Sequence, residues 1–262
     1  MEAIVFAICF VASVIGAICG IGGGVIIKPV LDAWGIMDVE TISFLSGCTV
    51  LAMTTYSVGK SKASRHSQID YRTTFPLAIG AALGGVVGKT VFNIIKSVNE
   101  SNQNKVGMFQ SIVLLLLTIG TLLYTIKKDN IKTYLIKKKD ACLGIGVALG
   151  FCSSFLGIGG GPFNLVVLNF FFSMPIKTAA ENSLYIIFFS QITRLLLSLV
   201  RGKIPNFPWI WLVLMSIGGI TGGIVGRKLN KKIDDKMVNN LFILIITIII
   251  LICIYDVYKY SA

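Results

Sequence analysis

Charged residues are scarce in this chain of 262 residues: Asp, Glu, Lys and Arg make up only 14% of it, while hydrophobic residues make up 55%. A soluble domain carries about 25% charged residues, and a disordered chain has few hydrophobic ones, so both classes are excluded. Mean hydropathy is +0.82, and several apolar runs reach the roughly 20 residues that a membrane-spanning helix needs. The sequence therefore predicts an all-α polytopic membrane protein.

Residues that carry catalysis or hold metals are also few. The chain has one histidine, His66, and 12 acidic residues, with no paired carboxylates and no Ser/His/Asp set. The six cysteines lie in apolar segments without metal-ligand spacing, which favours a role as small buried hydrophobic residues; they are Cys9, Cys19, Cys48, Cys142, Cys152 and Cys253. These absences argue against an enzyme, and we expect neither a cofactor nor a metal.

Lys and Arg outnumber Asp and Glu by 24 to 12, which gives a net charge of +12. The basic residues are scattered between apolar segments, so a nucleic-acid partner is not expected. In membrane proteins such residues gather in cytoplasmic loops and set the orientation. The start, Met1–Gly16, is apolar without a basic region or a small-residue cleavage site, and we interpret it as the first membrane helix.

A glycine-rich stretch interrupts an apolar run twice. Gly20–Gly24 reads G-I-G-G-G, and the same five letters return 137 residues later as Gly157–Gly161. In lipid, the backbone groups freed by such a break have no water to bond, so a break is tolerated only inside protein or beside a water-filled cavity. Two breaks in matching positions of two halves are typical of the centre of a transporter.

The match between the halves extends beyond the breaks. Further positions correspond at an offset of 137 or 138: Thr41 with Thr178, Ser46 with Ser183, and residues 84–89 with residues 222–227. A duplication is the simplest account, because chance would not keep this order at a nearly constant offset. We divide the chain into a first repeat (1–126), a basic linker (127–139) and a second repeat (140–262).

Each repeat is predicted to contain five segments, two short or re-entrant pieces around the glycine break and then three spanning helices. The segments are Ala3–Cys19, Val25–Ile36, Thr41–Gly59, Thr73–Val87 and Val106–Ile126, followed by Ala141–Leu156, Pro162–Met174, Thr178–Val200, Pro208–Gly226 and Val238–Tyr255. The polar stretch Lys89–Lys105 is expected outside the membrane. Glycines at four-residue spacing predict close helix contacts; they are Gly80, Gly84 and Gly88, and Gly218, Gly222 and Gly226.

The distribution of positive charge supports five segments per repeat. With this count, one side of the membrane holds 16 of the 24 basic residues and the other holds 6, with Lys28 and Arg194 inside. Four segments per repeat give no such excess. The richer side is expected to be cytoplasmic, so both termini lie outside and, because each count is odd, the repeats are inverted.

The glycine breaks are candidates for the substrate site. They lack the Lys-Ser/Thr of a phosphate loop and the βαβ context of a dinucleotide site. Converging backbone N–H groups and the start of the following helix can hold an anion, while glycines that only permit packing or a hinge are the alternative. The candidate residues are Gly22, Gly23 and Gly24 in the first break and Gly159, Gly160 and Gly161 in the second.

Two cations lie within apolar segments. Lys28 follows the first break by four residues, and Arg194 shares its helix with Gln191. An ionised residue at membrane depth is a functional candidate, and a guanidinium suits an oxyanion. Lys28 and Arg194 are the only cations expected wholly inside the membrane, although both could instead extend to an interface.

Polar residues beside the breaks complete the candidate site. They are Ser46 and Thr49 in the first repeat and Asn164, Asn182 and Ser183 in the second. Such groups bind an anion or join helices, and the sequence does not separate the two roles. Glu181 could carry a coupling proton, but with Thr178 it also fits a capping box at a helix start, which we favour.

The duplicated glycine breaks, each before a short apolar piece and a helix with a polar start, resemble the TauE/SafE sulfite-exporter family of membrane permeases. The later G-G-x-x-G segments at 84–88 and 222–226 are similar to that family too, and the resemblance covers essentially the whole chain. It implies transport of a small sulfur-containing or organic anion, such as sulfite, thiosulfate or an organosulfonate, across the cytoplasmic membrane of a prokaryote.

We therefore expect a secondary transporter that works by alternating access, with a small anion held between the two breaks. Its partners would be that substrate, the lipid bilayer and a coupling ion, H⁺ or Na⁺, while the oligomeric state stays open. Two alternatives remain: a sulfur carrier that uses the thiols of Cys19 or Cys152, and a membrane scaffold that transports nothing.

Overall fold

The computed structural model describes residues 2–35, 37–64, 67–98, 103–156, 161–202 and 204–261. Within these ranges the chain forms ten α-helices and no β-strand. The first five are α1 (Glu2–Cys19), α2 (Gly24–Ala33), α3 (Val39–Lys62), α4 (Tyr71–Val98) and α5 (Gln103–Lys127). The second five are α6 (Lys139–Phe155), α7 (Gly161–Phe172), α8 (Ile176–Val200), α9 (Trp209–Lys232) and α10 (Asp235–Ser261). The predicted all-α class is confirmed.

Seven of the helices in the described ranges are long and apolar enough to cross a membrane, namely α1, α3, α4, α5, α8, α9 and α10. The helices that follow the breaks are shorter, with 10 residues in α2 and 12 in α7. At 1.5 Å per residue they extend about 15 and 18 Å, roughly half of the hydrocarbon core. The first break therefore joins α1, which is long enough to span, to a helix that reaches about half-way across a bilayer, and the helix after the second break, α7, is of similar half-length.

The polar stretch that the sequence predicts outside the membrane is helical in residues 89–98. They continue α4, which is 28 residues long. Asn93 and the lysines make this stretch look like a loop. However, residues 89–98 contain neither proline nor glycine, so nothing in them ends a helix. Propensity and helix contact override the polar composition here.

The capping box predicted for Thr178 and Glu181 is also wrong. Because α8 already begins at Ile176 after Pro175, Thr178 lies inside the first turn and donates to Oε1 of Gln68 at 2.8 Å. The Glu181 carboxylate accepts a hydrogen bond from the Ser61 hydroxyl. It therefore joins α8 to α3 instead of capping its own helix.

The two glycine stripes form the closest helix contacts between the repeats. Glycines of α4 face α6, where a Cβ on Gly84 would overlap the carbonyl of Val147. Glycines of α9 face α1 in the same way, with Gly222 against Phe10. The fourth helix of each repeat thus packs on the first helix of the other, as the four-residue spacing predicts.

The third helices of the repeats, α3 and α8, run antiparallel to each other. Arg194 near the end of α8 bonds to Ser43 near the start of α3, and Glu181 near the start of α8 bonds to Ser61 near the end of α3. These two contacts fix the register of the helix pair between the repeats.

Candidate functional site

The first glycine break is a tight reversal between α1 and α2. Gly20 and Gly22 both have a φ of +70°, a left-handed conformation that side chains other than glycine adopt only with strain. The N–H of Ile21 donates to the Gly16 carbonyl at 3.1 Å, which closes the end of α1. Gly23 then lies against α1, since a Cβ there would be 3.0 Å from the Ala12 carbonyl oxygen. The start of α2 is thereby held beside α1.

The second break meets the first. Gly159 and Gly160 lie outside the described residues, but Gly161 begins α7 and faces the backbone of Ile21, whose carbonyl a Cβ on Gly161 would overlap. Gly20 in turn lies against the Ala180 backbone of α8. The starts of α2 and α7 are therefore brought together at one contact between the repeats.

Hydrogen bonds connect this contact to the polar residues of α7 and α8. The Ser183 hydroxyl donates to the Gly20 carbonyl at 2.5 Å, and the Asn164 amide donates to the Ser183 oxygen at 3.3 Å. All three residues are buried. An orphaned carbonyl of the first break is thus satisfied from the second repeat, as a buried backbone group requires.

Asn164 also lines a cavity of about 190 Å³ that contains the cations of the site. The cavity lies between α4, α6 and α8, with single contributions from α2, α3, α5 and α7. Lys28, Lys89 and Arg194 all line it, and no described lining residue is Asp or Glu. Three basic side chains thus share one space, so an anion placed here would relieve repulsion between cations.

Arg194 is oriented by α3. Its Nη2 donates to the Ser43 carbonyl at 2.8 Å and to the Ser43 hydroxyl at 2.7 Å. Both Arg194 and Gln191 lie over Gly47, where a Cβ would be 3.8 Å from the guanidinium carbon and 3.4 Å from Oε1 of Gln191. Ser43 fixes one edge of the guanidinium, and no other described residue accepts from its remaining N–H groups, which can donate to a ligand.

Gln191 is a buried cavity residue whose side-chain oxygen, Oε1, lacks a hydrogen-bond partner among the described residues. The residue is 5% exposed. An unpaired buried amide oxygen costs about 1–3 kcal/mol, and ligand or water in the cavity can satisfy it. Further neutral groups line the same space: Ser43, Asn93, Gln110, Ser153, Ser154, Ser190 and Thr193.

The structure brings together only part of the predicted site. Lys28, Asn164, Gln191 and Arg194 line the cavity. Ser183 is one hydrogen bond behind Asn164. The described glycines of the breaks (Gly22, Gly23, Gly24 and Gly161) form the contact between the repeats and are not among the lining residues.

Three predicted residues use their polar groups within the protein. Ser46 donates to the Ser43 carbonyl at 3.2 Å and Thr49 to the Leu45 carbonyl at 2.9 Å. Asn182 is fully buried and accepts from the Asp70 N–H at 3.0 Å. None of the three is among the residues that line the cationic cavity.

Lys89 is a cavity cation that the sequence analysis does not include in the candidate site, because the polar stretch Lys89–Lys105 is predicted to lie outside the membrane. A signal for it was present: at the offset of 138 it corresponds to Arg227. The thiols of the alternative hypothesis lie elsewhere, since Cys19 is buried, Cys152 is exposed and neither lines this cavity.

Spanning helices that enclose a polar, cationic cavity define a membrane transporter. The model of the sulfite exporter TauE/SafE family matches residues 5–252, and the chain belongs to this family. A relative named "Probable membrane transporter protein YunE", from Bacillus subtilis (strain 168), is 24% identical over 234 residues, covering 81% of this chain and 82% of the relative. No solved structure matches the chain.

Proposed function

We propose that this protein is a secondary transporter of a small oxyanion, a sulfur oxyanion such as sulfite or thiosulfate or an organosulfonate, and that the cationic cavity binds it. The observation that carries the proposal is the convergence of Lys28, Lys89 and Arg194 on one cavity with no carboxylate among the described lining residues. The family name supports sulfite as a member of the substrate class.

The arrangement suits an anion for a physical reason. An isolated ion in a medium of low dielectric constant is strongly disfavoured unless opposite charge and hydrogen bonds compensate it. The two ammonium groups supply charge, and the fixed guanidinium of Arg194 offers planar, paired donors that match an oxyanion. Neutral hydroxyls alone would leave most of the charge uncompensated.

The transport cycle we propose is alternating access between inverted repeats in the cytoplasmic membrane. The antiparallel course of α3 and α8, the third helices of the two repeats, supports inversion. The excess of basic residues in the loops at one end supports a cytoplasmic position for that end and an outer position for both termini. A gradient of H⁺ or Na⁺ would drive the cycle.

The test is uptake of radiolabelled thiosulfate into proteoliposomes that contain the purified protein. Arg194→Gln should lower the uptake rate at subsaturating thiosulfate by about 10- to 100-fold, since a hydrogen bond to a charged group contributes about 1.5–3 kcal/mol. Lys132→Gln, in the exposed linker, is the matched control and should retain uptake. Uptake that is absent in the unchanged protein for every sulfur oxyanion and sulfonate would contradict the proposal.

A further inference from the structure

A second cavity, of about 400 Å³, lies at the opposite end of α8 from the first. The first cavity takes lining residues from Ile186 to Leu197 of α8, and the second takes them from Lys177 to Leu184. The contact between the glycine breaks adjoins both cavities. Gly20 lies against Ala180, which lines the second cavity. Ser183, which bonds to Gly20, accepts a hydrogen bond from Asn164, which lines the first. This contact between the repeats therefore connects the walls of both cavities.

The internal duplication relates the two cavities residue by residue. Six lining residues of the first correspond, at an offset of 137 or 138, to six lining residues of the second. The pairs are Lys89 and Arg227, Phe92 and Asn230, Asn93 and Lys231, Arg194 and Ser57, Ser154 and Ala17, and Ser43 and Ala180. Helices α4, α6 and α8 around the first cavity are matched by α9, α1 and α3 around the second.

The second cavity carries the chemistry of an anion site. Lys177, Arg227 and Lys231 line it against one carboxylate, Glu181, among the described residues. Ser57 is 3% exposed, and its hydroxyl has no hydrogen-bond partner in the described part of the chain. That hydroxyl is a buried donor without an acceptor among the described residues, and its position corresponds to that of Arg194.

We propose that this cavity is a second binding site for a small oxyanion, formed by Arg227, Lys177, Lys231 and Ser57. This proposal rests on the transport function proposed above. The second site would bind the anion after it has moved past the contact between the glycine breaks. It would be the last binding site on the transport path at the end of the protein where the basic loops lie.

Glu181 occupies the anion position in the structure as it stands. Its Oε1 is 3.2 Å from Nη2 of Arg227, and the two side chains are 20% and 16% exposed. The same carboxylate accepts hydrogen bonds from the Ser61 hydroxyl and from the Gln68 N–H. An arriving oxyanion competes with this carboxylate for Arg227, so Glu181 weakens binding and assists release.

The experiment measures equilibrium binding of radiolabelled thiosulfate to the full chain in nanodiscs of neutral phospholipid. The background is Arg194→Gln with Lys89→Gln, which removes two cations of the first cavity. In this background, Arg227→Gln should weaken the remaining binding by about 10- to 100-fold. Glu181→Gln, which keeps the size of the side chain but removes the competing charge, should tighten it by about fivefold.

Two further variants at exposed positions, which should leave folding unchanged, separate a loss of binding from a loss of folded protein. Lys231→Gln changes an exposed residue and should also weaken the remaining binding, while Lys228→Gln, on the same helix but outside the cavity, should not. If Glu181→Gln and Lys231→Gln leave binding unchanged while the first-cavity variants abolish it, the second site is wrong and the proposed function stands. If neither the unchanged protein nor any variant binds or transports thiosulfate, sulfite or sulfonates, both the second site and the proposed function are wrong.

Discussion

Gly161, the first residue of α7, packs directly against the backbone of Ile21 in the first glycine break. The two motifs lie 137 residues apart in sequence, so this contact joins corresponding parts of the two duplicated halves. It has no room for a side chain, which explains why glycine stands at that place. The starts of both short helices depend on it.

A methyl group at this contact should destabilise the protein. In Gly161→Ala, the new Cβ would overlap the Ile21 carbonyl oxygen, and overpacking of this kind costs about 1–3 kcal/mol. Thermal unfolding in detergent should therefore begin several degrees lower. Gly144→Ala is the matched control, because a Cβ there meets nothing within 4 Å and alanine favours the helix. Equal unfolding temperatures for the two variants would contradict the contact.

Lys89 should be required for binding even though it follows a glycine stripe in a stretch that reads as a loop. Lys89→Gln removes one of three cavity cations, and we expect thiosulfate binding to weaken by about tenfold, as for one charge-assisted hydrogen bond. Lys89→Arg keeps the charge and should retain most of the affinity. Lys62→Gln, exposed at the end of α3, controls for the loss of a positive charge elsewhere. Isothermal titration of the four proteins is the measurement.

Asn182 should contribute to the stability of the folded protein and not to substrate binding. Its side chain accepts from the Thr74 hydroxyl at 2.5 Å and donates to the carbonyls of Gln68 and Thr178 at 2.9 and 2.7 Å. Removal of this buried group in Asn182→Ala should cost about 1–3 kcal/mol of unfolding free energy, whereas Asn240→Ala, at an exposed position, should cost little.

Binding distinguishes this role of Asn182 from a direct contact with substrate. The folded fraction of Asn182→Ala should bind thiosulfate with the dissociation constant of the unchanged protein. A variant that keeps its unfolding temperature but loses thiosulfate binding would place Asn182 in the substrate site instead.

The fold was largely predictable from the sequence because its signals are local. Apolar length marks the spanning helices, and the four-residue glycine spacing marks the contacts of α4 and α9. The extent of α4 was not predictable in the same way. Lys89 and Asn93 are polar because they face a cavity formed by other helices, and a hydropathy pattern cannot distinguish such a face from a loop.

The candidate site was predictable only for residues whose charge is conspicuous in an apolar run. Lys28 and Arg194 stand out in this way, and the structure places both at the cavity. Hydroxyls carry no such signal: Ser46 bonds to its own helix, while Ser43, three residues earlier, orients Arg194. Which of two nearby serines faces the cavity depends on helix rotation, and that is fixed by tertiary packing.

The orientation in the membrane can be tested with single cysteines in a background where the six native ones are replaced by serine. Lys132→Cys in the linker and Arg201→Cys after α8 both lie at exposed positions. The predicted topology places Arg201 outside and Lys132 inside. In intact cells, a membrane-impermeant maleimide should therefore label Arg201→Cys, and Lys132→Cys only after permeabilisation. Labelling of Lys132→Cys in intact cells would show that the orientation is the opposite of the predicted one.

The start of α3 should confer a stabilisation that depends on pH. Asp38, in the connection before α3, accepts hydrogen bonds from the Thr41 N–H at 2.9 Å and from the Thr41 hydroxyl at 2.8 Å. The hydrogen bonds from the backbone and the side chain of Thr41 lower the pKa of this carboxyl below its usual value. Because they favour the ionised form, the cap stabilises the folded state at neutral pH, and this contribution is lost as the pH falls through the lowered pKa of the folded state.

Asp38→Ala should therefore unfold at a slightly lower temperature than the unchanged protein at pH 7. The difference should shrink as the pH is lowered below about 4, where aspartate in the unfolded chain is already protonated. Asp38→Asn keeps a capping oxygen but cannot titrate, so its difference from Asp38→Ala should stay constant with pH. Thermal unfolding of the three proteins between pH 7 and pH 3 measures this. If the difference between Asp38→Ala and the unchanged protein does not vary with pH, the carboxylate charge contributes nothing to the cap.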